Sequence, residues 1–280
     1  MHRARPRPRP RSRFRQARAA LALAPAPAAD APAGAGVLAL VAALGVIAAA
    51  APARAATDPV ALLKKVDAAS NGFKDQKIDM EMVLVDSDGT TKSRTLTVWQ
   101  KGGAKRLVRF TSGDLKGMGV LVEDRHTMYV YLPGEDKVRR LGMHAATASF
   151  QGSDFSNDDM AAINFSDDYD PKLVKEDAAK ATLELVPKAT AKVEWTKLVL
   201  TIDLATLNVD RCDYFDAKDA AKPAKSQTRT DPKPIGGRTI FTLITMTNFR
   251  TGHRTELHIK NMDVDKGLED DFFKPRTLMR

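Results

Sequence analysis

Between Met80 and Met262 apolar and polar side chains keep a period of two, broken by turn residues roughly every 8 to 12 positions. Period two marks a strand with one buried face. Repeated at that spacing, it leaves a chain few alternatives to an antiparallel meander. Met80, Met82 and Leu84 alternate with Asp79, Glu81 and Val83 ahead of the turn residues Asp86 to Gly89, and Leu96 and Val98 resume the pattern up to Trp99. Further strands are expected at Leu107–Phe110, Gly119–Val122, Met128–Leu132, Lys137–Leu141, Ala181–Val186, Glu194–Asp203, Leu207–Asp216, Arg238–Phe249 and Arg254–Met262.

Three stretches depart from the alternation. Asp58 followed by Pro59 is a helix start, and Ala61, Leu62, Leu63, Val66 and Ala69 keep helical spacing after it. The segment from Gly142 to Pro171 is too long for a turn and too apolar for a free loop. It is expected to carry a short helix through Met160 to Ile163 and to cover the open face of the sheet. Leu268 to Phe273 reads as a short helical turn. The fold class is therefore mainly β with a few short helices (α+β): an incomplete antiparallel β-barrel of about ten or eleven strands, helices covering its concave side.

Charge is distributed unevenly. Residues 1–55 hold nine arginines and one acid, whereas residues 56–280 carry 35 basic and 34 acidic groups. Such a near-neutral body lacks the footprint of a nucleic-acid binder. The Arg/Pro-rich start, the uncharged run Gly36–Ala51 and the small residues around Arg54 have the pattern of a signal peptide. The expected organisation is thus a leader at 1–55 and a single domain at 56–280, exported to the periplasm. Cys212 is the only cysteine, which excludes an intrachain disulfide, a cysteine-based metal site and a lipid-modified cysteine after the cleavage point.

Enzyme signatures are missing: no G-x-S-x-G, H-E-x-x-H, P-loop or dinucleotide-binding motif occurs. His126 and His144 fall in a turn and a loop, and His253 and His258, five apart on a strand, point to opposite faces. The pairs Asp158-Asp159 and Asp167-Asp168 have the context of helix caps and solvated turns, and Cys212 that of a small core side chain. No catalytic residue, cofactor or metal is expected. A lipid hydrolase assembled in space from residues such as Ser153 and His144 stays open as an alternative. Charge on both faces of several strands, and a final residue that is not aromatic, speak against an outer-membrane barrel.

Methionine and aromatic residues recur on the strands and on the covering segment, and methionine adapts to varied apolar shapes. A sheet that closes only partway encloses more volume than its own side chains fill. Candidate residues for a hydrophobic cavity and its lid are Met82, Trp99, Met128, Tyr129, Tyr131, Phe150, Phe155, Met160 and Trp195. Arg139 or Arg140, paired with Asp154, would latch the lid, with a solvated strand edge as the plain alternative.

The runs Leu115-Lys-Gly-Met-Gly-Val-Leu-Val122, Met128-Tyr-Val-Tyr-Leu-Pro133, Lys137-Val-Arg-Arg-Leu141 and Phe150-Gln-Gly-Ser-Asp-Phe-Ser156, with Asp159-Met160 and the closing Phe272-Phe-Lys-Pro-Arg-Thr-Leu278, resemble in order the outer-membrane lipoprotein-sorting protein family, related to the LolA and LolB carriers. The resemblance spans about residues 57–280. It implies a helix-covered incomplete barrel whose hydrophobic cavity takes up acyl chains of lipoproteins, or other lipid, in the periplasm. The partners it implies are an inner-membrane transporter as donor and an outer-membrane acceptor, with a monomeric carrier moving between them. An accessory of an exporter and an envelope lipid sensor are the other roles this fold would serve. No acyl-binding residue of the family lies in these motifs, so none is carried over.

Overall fold

Asp58 accepts the Val60 N–H at 2.9 Å, and Pro59 opens helix α1 (Pro59–Ser70), the helix start that the sequence predicts. The computed structural model describes residues 57–279 apart from 104, 125–126, 143–146 and 162–163. His126, Met143, His144 and Ile163 lie outside the described residues. The strands are β1 (Asp75–Val85), β2 (Thr91–Lys101), β3 (Lys105–Phe110), β4 (Gly119–Asp124), β5 (Thr127–Leu132), β6 (Lys137–Arg140), β7 (Tyr169–Glu176), β8 (Lys180–Pro187), β9 (Lys197–Asp203), β10 (Val209–Phe215), β11 (Lys225–Ile235), β12 (Arg238–Asn248) and β13 (Arg254–Val264). Helices α2 (Asn157–Ala161) and α3 (Phe165–Asp168) fall between β6 and β7.

All thirteen strands form one sheet in the order β6-β5-β4-β3-β2-β1-β13-β12-β11-β10-β9-β8-β7. Every pair is antiparallel, and each hairpin joins neighbours. The long β1–β13 ladder brings the first strand onto the last. The two edges, β6 and β7, follow each other in sequence, yet among the described residues no ladder joins them. The sheet is thus an incomplete barrel, opened at its longest connection, the one between β6 and β7.

Two strands exceed the ten or eleven expected, and both contain proline. Pro171 lies in β7, at the edge of the sheet, and β11 carries Pro232 and Pro234. β10 pairs only with Lys225–Thr228 of β11, so both prolines fall where the strand has a partner, β12, on one side alone. A residue without an N–H is tolerated there.

The two faces of the sheet bury different sets. On the inner face Met82, Val98, Val108, Phe110, Val120 and Met128 join Leu62, Leu63 and Val66 of α1 in the main core. On the outer face Leu107 and Leu121 meet Phe273 and Leu278. The C-terminal turns, 3-10 helices at Asp270–Phe272 and Pro275–Met279, therefore cover the outer face and not the concave one. Arg109 fixes them there, its Nη2 donating to the carbonyls of Thr277 at 2.9 Å and Leu278 at 3.1 Å. Gly119 permits the close fit, since a Cβ on it would lie 2.8 Å from Leu278 Cδ2.

Candidate functional site

The segment between β6 and β7 folds back over the inner face. Phe150, fully buried, stacks on Phe110 with ring centroids 6.1 Å apart, and Phe155 is buried beside it. Its backbone is pinned by side chains from four strands. Arg94 of β2 donates to the Gln151 carbonyl at 2.6 Å while its Nε meets Asp114 at 2.8 Å. Arg106 of β3 donates to the Met160 carbonyl, and Lys225 of β11 to the Asp154 carbonyl at 2.7 Å. Thr255 of β13 accepts the Asp154 N–H at 2.9 Å and donates to Asp154 Oδ2 at 2.8 Å, and His253 Nδ1 lies 2.5 Å from that oxygen.

Helix α3 is bolted to α1. The Asp67 carboxylate accepts the Phe165 and Ser166 N–H groups, both at 2.9 Å, and Asn71 donates to Asn164 at 3.0 Å. Asp67 thus caps α3 from outside, a task that Asn164 at the cap position does not perform with its own side chain.

Two compartments remain beside the inner face, one under the segment and one at the end of α1. The smaller, about 190 Å³, is lined by Phe155, Met160, Trp195 and Tyr214 together with Asp67, Asp158, Asp159 and Asp168. The larger, about 390 Å³, opens between the end of α1 and strands β1, β11, β12 and β13. Phe73, Phe241, Ile244, Ile259 and Met262 line it. Ser70 and Arg229 border both. Arg229 belongs to a polar row that alternation places on the inner face of β11: Lys225, Gln227 and Arg229. Lys225 sits over the Trp195 ring, 5.3 Å from its centroid. Arg229 donates from Nε and Nη2 to Gln227 Oε1 at 3.3 Å.

Burial sets the ionisation of the surrounding groups. It raises the carboxyls of Asp67, Asp159 and Glu194 above the usual range, pushes the Arg106 guanidinium down to about 10, and lowers that of Arg229. Ser156 N–H donates to Asp159 at 2.7 Å and the Asp159 N–H returns to Ser156 Oγ at 3.0 Å, a reciprocal cap at the start of α2. Glu194 Oε2 is buried with no hydrogen-bond partner among the described residues. Asp114, held by Lys92 and Arg94, titrates at about 2. The Cys212 thiol is fully buried and burial raises its pKa, which leaves it an unreactive core side chain.

Of the nine cavity candidates, Phe155, Met160 and Trp195 line the smaller compartment, and Met82, Met128 and Phe150 belong to the packed inner core. Trp99, Tyr129 and Tyr131 do not join them. They pack on the outer face with Phe272 and its neighbours, Trp99 edge-on to Phe272 at 5.4 Å, because the strand register that buries Val98, Met128 and Val130 turns their neighbours outward. The latch also differs from the expected pair. Asp154 does hold the segment, but to Thr255 and His253; Arg139 pairs with Glu135 on its own turn, and Arg140 reaches Thr127 at 3.5 Å. Both arginines lie on the edge strand, away from the roof. The arginines that do the latching, Arg94 and Arg106, lie on alternating strands where a lone cation had no sign in the pattern. The row on β11 was hidden because Lys225 to Ile235 shows no apolar alternation.

The fold is LolA-like, as comparison with solved structures shows. A domain from Vibrio parahaemolyticus described as an outer membrane lipoprotein-sorting protein superposes with a TM-score of 0.72 at 24% identity, over 79% of this chain and 98% of that one. A DUF1329 family protein from Desulfovibrio piger gives 0.72 at 27% identity, over 79% and 100%. A LolA superfamily protein from Nitrosomonas europaea gives 0.65 at 19% identity, over 78% and 98%. The model of a family described as "Uncharacterized protein" matches residues 102–280, more than half of the chain, and the chain belongs to that family. No curated protein matches the sequence.

Proposed function

We propose that this protein is an exported carrier that shelters acyl chains in the compartments beside its inner face, and that it is not an enzyme. One observation carries the reading. Inside an otherwise packed incomplete barrel, two compartments with mixed apolar and polar walls remain, about 190 Å³ under the β6–β7 segment and about 390 Å³ beside the end of α1, and polar bonds hold the segment to the sheet. Such bonds can be exchanged for water when the roof lifts, at a net cost of roughly 1 kcal/mol each. Each methylene that enters contributes roughly 0.8 kcal/mol, so a partly inserted chain offsets several of them. Among the described residues no helix is long and apolar enough to cross a membrane. The leader pattern at 1–55 and the LolA-like fold support a periplasmic location, with a donor membrane and an acceptor on either side of the carrier.

Native mass spectrometry on protein purified from its own envelope tests the reading. A co-purifying acylated peptide supports lipoprotein sorting, and a free lipid supports an accessory of lipid export. The delipidated protein is expected to take up a fluorescent acyl probe, and Ile244→Trp, which fills the larger compartment, to abolish that uptake with the circular dichroism unchanged. An empty purified protein that takes up no probe would overturn it.

A further inference from the structure

The β6–β7 segment covers the smaller compartment, whereas one wall of the larger is supplied by Gly237 to Phe241 at the start of β12. That wall is loosely tied into the sheet. β10 pairs with β11 only as far as Thr228, and β13 pairs with β12 only from Leu243 onward. Among the described residues, 229–242 therefore form a two-stranded arm with no third strand beside it. Such a hairpin is marginally stable by itself. Gly236 and Gly237, at φ 57° and 74°, make its two-residue turn. At its base the ladder skips Asp231 and Thr242: Asp231 has a φ of 57°, and its carboxylate accepts the Thr242 hydroxyl at 2.5 Å. A left-handed residue that interrupts the rungs gives the arm a place to bend.

Side chains fasten the far end of the arm to the body. Arg238 donates to the carbonyls of Ala69 and Gly72 at the end of α1, each at 3.2 Å, and stands 5.2 Å from the Phe73 ring centroid. Gly72 leaves room for this catch, since a Cβ there would fall 2.0 Å from Arg238 Nη1. Asn208 adds a bond to the Thr239 carbonyl at 3.1 Å. All three bonds are exposed, so water can replace them at small net cost. We infer that residues 229–242 are a hinged flap, held by Arg238, and that an acyl chain enters and leaves the larger compartment sideways beneath it, between β12 and β13. Swinging the flap breaks no ladder, whereas entry farther along β12 must part Leu243 to Thr247 from β13. This inference rests on the carrier reading and adds the route by which its cargo is admitted.

Stopped-flow uptake and release of dansylaminoundecanoate by the delipidated full chain tests the flap, read on the uptake that Ile244→Trp abolishes. Gly72→Ala puts a methyl where the guanidinium lies, and so should undo the catch without changing a residue that lines the compartment. Uptake and release are both expected to quicken on the order of tenfold, as for the loss of one hydrogen bond to a charged group, with Kd unchanged. Arg238→Gln should quicken both rates likewise, and Arg238→Lys should keep part of the original slowness. Amide exchange should rise in 229–242 and stay as it was in Leu243 to Thr247. Exchange that rises throughout the sheet, or release that quickens alone with weaker binding, overturns the flap by making the catch a structural or ligand-contacting group. Rates unmoved by all three substitutions overturn it and leave the carrier intact, whereas an unaltered chain that takes up no probe overturns both readings.

Discussion

The inner face of the sheet divides into two halves that obey different rules. Under β2 to β5 it is full: Val98, Val108, Phe110, Val120 and Met128 close around Phe150, and the polar side chains that share this face, Arg94, Gln100 and Arg106, are spent on the segment's carbonyls and on one another. Under β10 to β12 it carries Lys225, Gln227 and Arg229 among Tyr214, Ile244 and Met246, and there the space is left over. The same segment roofs the first half with aromatic rings and is tied by hydrogen bonds to both. The difference teaches where binding capacity comes from. Tight packing whose polar groups are all engaged by the roof gives stability and no room, whereas the row on β11 keeps side chains from closing the floor.

Four substitutions would break or sharpen that contrast. Phe150→Ala in the full half should cost about 3–5 kcal/mol in denaturant unfolding and open new volume, so acyl-probe uptake should rise; unchanged uptake would show the halves to be isolated. Leu278→Ala on the outer face should cost about 2–4 kcal/mol and leave uptake untouched, because its cluster is separate from the inner one. Asp154→Asn should cost about 1–3 kcal/mol and speed amide exchange in residues 147–161, as the bonds to Thr255 and His253 weaken. Glu194→Gln has the smallest effect, a gain on the order of 1 kcal/mol or less. Its carboxyl is raised in the fold, so the ionised form costs stability at neutral pH; the gain should shrink as pH falls through the raised value and vanish once both states are protonated. Thermal melts of the variant at neutral and acid pH check the sign.

Much of the meander could be read from alternation alone, because strands such as β8 and β9 bury every second residue against the core. The start of α1 was equally clear, since Asp58 and Pro59 act locally. The covering role of the β6–β7 segment followed from its length and its phenylalanines. What escaped was decided by tertiary context. Nothing in Lys225-Ser-Gln-Thr-Arg-Thr-Asp-Pro marks a strand until β10 and β12 are in place on either side. The outward turn of Trp99, Tyr129 and Tyr131 is settled by a C-terminal segment well over a hundred residues away in sequence. Arg94 and Arg106 could be seen as strand residues, but their carbonyl partners exist only once the segment has folded back.

The unjoined edges have a mechanical meaning. Because β6 and β7 are consecutive strands and no ladder joins them among the described residues, the bore of this cuff can widen at its clasp with every inter-strand bond kept. Lys137, Arg139 and Arg140 lie on one edge strand and Lys172 and Lys175 on the other, and charged edges discourage pairing with a further strand. Capacity for cargo is thus adjustable without any unravelling of the weave.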